Sequence, residues 1–174
     1  MEADYDPDSN YHSGSIPVQE AKAELGVFKR TVDVPTRYRL DNFASGLDPD
    51  TVWDAFVESR DKNWSEHTLK YRYESPWNKW CAFARERGVN SVTPTAEDLE
   101  DWFSVTIEDS KSVQTAHDIH FRVLIAVFSW VTEHTDYPHR YNPVLQAVLL
   151  EGATEELWAE RVFRRDKYWT EDAE

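Results

Sequence analysis

Residues 121–131 read FRVLIAVFSWV, with one charge at Arg122 and one hydroxyl at Ser129. The run is too long for one strand and too short to cross a bilayer, so it predicts a helix buried nearly all round. The two turns before it differ. Gln114, Thr115, His117 and Asp118 are polar, while Val113, Ala116 and Ile119 (or His120) keep up the apolar spacing. Ser112 is a good N-cap, with Lys111 just before it. The reading is a core pillar whose N-terminal end emerges from the protein carrying hydrogen-bonding groups.

The rest of the chain supplies helices to surround that pillar. Asp48-Pro49-Asp50 opens TVWDAFVESR, with Asp50 as cap and Val52, Trp53, Phe56 and Val57 as the apolar face. From Ser65, the residues Leu69, Tyr73, Pro76, Trp80, Phe83 and Arg87 form one stripe of a long helix that Gly88 stops. Pro76 should kink this helix, or the pair Ser75-Pro76 should start a second piece abutting the first. Thr95 with Asp98 resembles a capping box for a helix from Ala96 to about Ile107. Asn142-Pro143 caps VLQAVLL, and Leu157, Trp158, Arg161 and Val162 allow one more amphipathic helix in the tail.

No segment of any length alternates with strand period, so the expected fold class is all-α, an orthogonal bundle of four to five helices. Residues 1–47 read as an acidic, largely flexible arm, disordered over 1–20, with a short helix at 20–30 and solvated linker residues at Arg37, Tyr38 and Arg39. Residues 48–150 read as the helical domain, and 151–174 as a C-terminal helix or linker.

The net charge is −14, from 33 acids and 19 bases. At first this argues against nucleic acid. The distribution qualifies it: residues 59–90 carry 7 bases and 4 acids, whereas residues 91–110 carry 6 acids and no base. The acids are otherwise spread along the chain, as on a surface kept hydrated in a high-salt cytoplasm; an acidic partner-binding or DNA-mimicking surface is the competing explanation. No apolar run reaches membrane length and MEADYDPDSN is no signal peptide, so a soluble cytoplasmic protein is expected. The single cysteine, Cys81, excludes a disulfide framework and a cysteine zinc site.

The order of parts carries a resemblance. Ser65-Glu66-His67-Thr68 opens an aromatic-rich helix ending at Gly88; TPTAEDLEDWF follows; Ser112-x-x-Thr115 opens an apolar helix ending FSWV; Asn142-Pro143-Val144 comes last. Over about residues 48–150 this resembles the N-terminal core-binding, SAM-like domain of tyrosine recombinases of the integrase, Xer and Cre type. The resemblance implies that the domain clamps one side of a DNA duplex with the N-terminal halves of two helices. On the first, it implies Thr68, Lys70 and Tyr71 as DNA-facing, with Arg72 added for its charge. On the second, it implies Lys111, Ser112, Gln114, Thr115, His117 and Asp118. These are the off-stripe residues of each helix. Hydroxyls and helix N-termini suit phosphate, and Gln and His suit base edges. Asp118 places a negative charge on the expected face.

The catalytic half of such a recombinase would need Arg, Lys, His-x-x-Arg and a nucleophilic Tyr, and this chain holds no His-x-x-Arg. Tyr168, behind Arg164 and Arg165, therefore lacks the groups that would activate it, and no enzymatic activity is expected. Neither a cofactor nor a metal is expected. His117-x-x-His120 lacks an evident third ligand, and His134 and His139 read as solvated. The acids at 97–101 read as a solvated face, and Cys81 as a small core residue.

Three functions follow as expectations. The first is a stand-alone module for double-stranded DNA, acting with itself or with a recombinase catalytic subunit. The second is an acidic helical interaction domain docking on a recombinase or other basic partner. The third is the amino-terminal piece of a split recombinase.

Overall fold

The computed structural model describes residues 28, 30–60 and 64–171, with 166–171 as backbone alone. Regular structure among the described residues is helical throughout. The expected disordered segment 1–20, and nearly all of the expected short helix at 20–30, lie outside those residues.

Helix α1 is Pro49–Ser59. Its cap is Asp48 and not Asp50: the Asp48 carboxylate accepts from the Asp50 N–H at 3.3 Å and from the Thr51 hydroxyl at 2.8 Å. Proline favours the first helical position, which moves the cap to the residue before it. The bonds from Thr51 and Asp50 hold the Asp48 carboxyl below the usual range.

Helix α2 spans 66–86 without a break. It runs as Glu66–Thr68, a π-helical stretch Leu69–Glu74, then Ser75–Glu86. Pro76 stands in the first turn of the last α-helical segment, where the helix changes from π to α without interruption. Proline lacks an N–H, and its ring crowds the carbonyl four residues back. The turn just ahead of it is widened instead, with the Ser75 N–H reaching the Lys70 carbonyl five residues back. Pro76 itself is buried. Gly88, at φ +69°, ends the helix.

Helix α3, Ala96–Ser110, begins with both arms of the capping box and runs one turn beyond expectation. It closes on Lys111 in the left-handed region, φ 57°. Helix α4 spans 113–133 as Val113–Ala116, a second π stretch His117–Phe121, and Arg122–Glu133. Short α5, Pro143–Val148, is capped by Asn142, and α6 is Ala153–Glu171.

The pillar expectation holds for α4: Phe121, Val123, Leu124, Val127, Phe128 and Val131 are all buried. Aromatic pairs fill the space around it. Trp53 of α1 stacks on Trp77 of α2 at 5.2 Å, Phe56 meets Trp130 at 5.8 Å, and Phe103 meets Phe121 at 5.5 Å. Trp80 donates to the Ser91 carbonyl at 2.9 Å, so its indole is buried without an orphaned N–H.

Packing extends past both expected boundaries. Val34 and Leu40 are buried against Tyr141, with Phe28 edge-on to the same ring, and the Asn90 amide donates to the Ala44 and Leu47 carbonyls. Residues 30–47 therefore belong to the folded body. They fold as the 3₁₀ turns Thr31–Asp33, Thr36–Tyr38 and Leu40–Gly46, which leave neither a helical nor a strand period to read. Arg37 is exposed as expected, but Tyr38 and Arg39 are half-buried: Arg37 and Arg140 both lie over the Tyr38 ring, and Arg39 donates to the Val34 carbonyl. His139 is buried too, bonded to the Val92 carbonyl.

At the other end, α6 is docked. Glu100 of α3 accepts from the N–H groups of Ala153 and Thr154 and from the Thr154 hydroxyl, an N-cap supplied by a different helix. A Cβ on Gly152 would collide with that carboxylate. Leu157 then enters the main core. Among the described residues no helix is long and apolar enough to cross a membrane.

Candidate nucleic-acid interface

Both helices singled out from the sequence start with the same device. In α2, Ser65 Oγ accepts from the Thr68 N–H at 3.1 Å and meets its hydroxyl at 3.0 Å. In α4, Ser112 Oγ accepts from the Thr115 N–H at 3.0 Å and meets its hydroxyl at 2.8 Å. A π turn follows in each. Such widened turns occur mostly as single insertions and are frequent at functional sites. They shift every following side chain around the helix, and in the two helices the result differs.

In α2 nothing between Glu66 and Glu74 is buried. Lys70, Tyr71 and Arg72 are exposed and Thr68 is half-buried. Neither Lys70 nor Arg72 meets a carboxylate among the described residues. Lys70 lies instead over the Tyr71 ring, 5.6 Å from its centre. Glu66 and Glu74 bracket the strip in sequence. Tyr73 faces the other way, stacked on Trp64 at 4.0 Å with the Arg122 guanidinium 5.8 Å from its centre. That contact, and Lys79 beside His120, join α2 to α4.

In α4 the π turn directs side chains inward. His117, His120 and Phe121 are buried, and Ile119 is left exposed, so His120 and not Ile119 continues the apolar face. His117 is only 5% exposed, packs on Phe121 and bonds through Nδ1 to Asp118 at 3.1 Å. It does not face solvent, which corrects its expected place on a DNA face. His120 stands edge-on to Trp102, and burial lowers its pKa to about 4, with Lys79 adding to the effect.

Asp118 stays at the surface but is not a bare charge. Arg164 of α6 grips both its oxygens, and Arg164 is itself bonded to Glu160 at 2.9 Å. Burial pushes the Asp118 carboxyl up, and the bonds from Arg164 and His117 outweigh it, so it titrates below the usual range. The tail thus lies along the first turns of α4, a packing that its 3.6-residue pattern could not assign to a partner. Gln114, Thr115 and Lys111 remain exposed there, and Ser112 is half-buried. Lys111 caps the C-terminus of α3, where a cation suits the helix dipole, and the exposed Glu108 and Asp109 stand beside it.

No hydrogen bond, ion pair or ring contact joins the strip Thr68–Lys70–Tyr71–Arg72 to Lys111, Ser112, Gln114 or Thr115 among the described residues. The acids at 97–101 are not a plain solvated face. Glu97 accepts from Thr31, Asp98 closes the capping box, Glu100 caps α6, and Asp101 pairs with Arg87 at 2.9 Å. Among the described residues no group of three or more His, Cys, Asp or Glu side chains is placed so that it could hold a metal ion.

Comparison of the chain with family models, with curated proteins and with solved structures finds no match.

Proposed function

We propose that this chain is a DNA-binding module whose contact surface is the N-terminal half of α2, with Gln114, Thr115 and Lys111 at the start of α4 as secondary contacts. One observation carries the reading. In a protein of net charge −14, Lys70 and Arg72 stand exposed on one half-helix with no carboxylate partner among the described residues. Arg30, Arg87 and Arg164 are each paired with an acid, whereas Lys79, Arg85 and Arg161 are also exposed without one among the described residues; what marks α2 is that Lys70 and Arg72 stand together with Thr68 and Tyr71 on one half-helix. Unpaired cations beside hydroxyls such as Thr68 suit phosphate, and phosphate contacts dominate affinity. The resemblance to the recombinase core-binding domain supports the same helix, and the module lacks the strand-cleaving set. Arg164 offsets part of the Asp118 charge, though it shares its guanidinium with Glu160.

The test is duplex binding by fluorescence anisotropy at several salt concentrations. Affinity should fall steeply with salt. Lys70→Ala with Arg72→Ala should weaken binding to every sequence and reduce the slope of log K against log salt by about 2. Binding that ignores both salt and this double substitution would end the reading. A second reading, an interaction domain for a basic partner, draws on the exposed Leu145 of α5, Leu149 just after it and Phe163 of α6. In that case a cationic protein, not DNA, would be the ligand.

A further inference from the structure

The N-terminal half of α2 sends its two tyrosines in opposite directions. Tyr73 is held between Trp64 and Arg122, which fastens this half-helix to the bundle. Tyr71 is 57% exposed. The side chains against it are His67, with ring centres 4.6 Å apart and planes at 45°, and Lys70. An exposed aromatic pair flanked by two unpaired cations is an unusual use of surface on an acidic protein. An intact duplex gives such a face little to hold, because its bases are stacked on one another and present only their edges. An unpaired nucleotide presents an open ring face and a phosphate on either side.

We propose that Tyr71 and His67 form a stacking platform for an unpaired nucleobase, with Lys70 and Arg72 taking the flanking phosphates. The ligand class is single-stranded or locally unpaired DNA, such as a gap or a melted step. This rests on the reading of α2 as a nucleic-acid surface. It adds a shape preference that phosphate contacts alone do not give, because every base has a ring face while only an unpaired one can offer it. Tyr71 is outside the core, so its removal leaves the bundle intact, which a thermal melt of each variant verifies.

The experiment measures anisotropy of three labelled DNAs with the full chain: oligothymidine, an intact duplex, and the same duplex carrying an internal gap. Tyr71→Ala should weaken binding to oligothymidine and gapped duplex about tenfold and to the intact duplex by a clearly smaller factor, because only an unpaired base uses the ring face. Tyr71→Trp should restore it, and His67→Ala should fall between. Equal weakening on all three DNAs, or none, overturns the platform. Wild-type binding to intact duplex without binding to oligothymidine overturns the platform and leaves the duplex reading standing. Tyr71-dependent binding to oligothymidine alone upholds the platform and removes the duplex reading. Binding to none of the three removes both.

Discussion

The N-terminal halves of α2 and α4 share a starting device and part company after it. Each opens Ser-x-x-Thr, each caps itself through that serine, and each then widens into a π turn. In α2 the turn leaves Lys70, Tyr71 and Arg72 in solvent. In α4 it buries His117, His120 and Phe121, and α6 lies over what remains, with Arg164 on Asp118. The same local motif thus serves display in one helix and burial in the other. What decides is the neighbour. Among the described residues the first half of α2 is held by Trp64 and Arg122, whereas α4 packs against α3 and α6.

The largest expected effect that separates the two halves is on stability. Phe121→Ala should cost about 3–5 kcal/mol, because it removes a fully buried ring packed on Phe103. Tyr71→Ala should stay within about 0.5 kcal/mol, as for an exposed site. Urea unfolding of the two variants measures both. Comparable losses would mean that Tyr71 is not the displayed residue described here.

The second effect is acid sensitivity, and it belongs to α4. His120 has its pKa lowered by burial from 6.5 to about 4. A depressed value means the folded state holds the neutral ring. Its contribution is therefore fully present above pH 6.5 and is lost as pH falls toward about 4, where the unfolded chain binds the extra proton first. His120→Leu should flatten stability across that window, read from unfolding midpoints at successive pH values. An unchanged slope would place the acid sensitivity elsewhere.

Much of this architecture is legible in the sequence, because capping chemistry and apolar runs are local. Ser65, Ser112, Asn142 and the Thr95–Asp98 box all sit where the side-chain pattern puts them, and the 121–131 run marks the buried helix. The π turns are not legible in this way. A periodicity argument assumes 3.6 residues per turn, so it cannot choose between Ile119 and His120 for the inner position and leaves His117 free; the inserted residue selects His120 and buries His117. The 3₁₀ stretch at 30–46 escapes for a similar reason. The partner of α6 escapes because an amphipathic stripe states that a face is buried, not against what. Of the candidate site, the exposure of Lys70, Tyr71 and Arg72 follows from their position off the stripe. The burial of His117 comes from the π turn, and the pairing of Asp118 comes from a tail more than 40 residues away in sequence.

The smallest effect concerns that pairing. Arg164→Ala should cost less than about 1 kcal/mol, since the pair with Asp118 is at the surface. The pKa of Asp118 is depressed in the fold, so the pair's contribution is present above the usual carboxylate range and is lost as pH falls through the folded value. On DNA the same substitution should weaken binding by uncovering a negative charge, and adding Asp118→Asn should restore it. No change on DNA would mean that the start of α4 stands clear of the ligand.

The most direct test of the central claim, that α2 and not α4 carries the contact, is a residue-by-residue map of backbone amide shifts as duplex DNA is titrated into the full chain. The expected result is a cluster of the largest changes at 66–74, smaller ones at 111–115, and little at 117–121, whose side chains are mostly buried. Largest changes at 117–121, or at Leu149 and Phe163 with 66–74 silent, would contradict it.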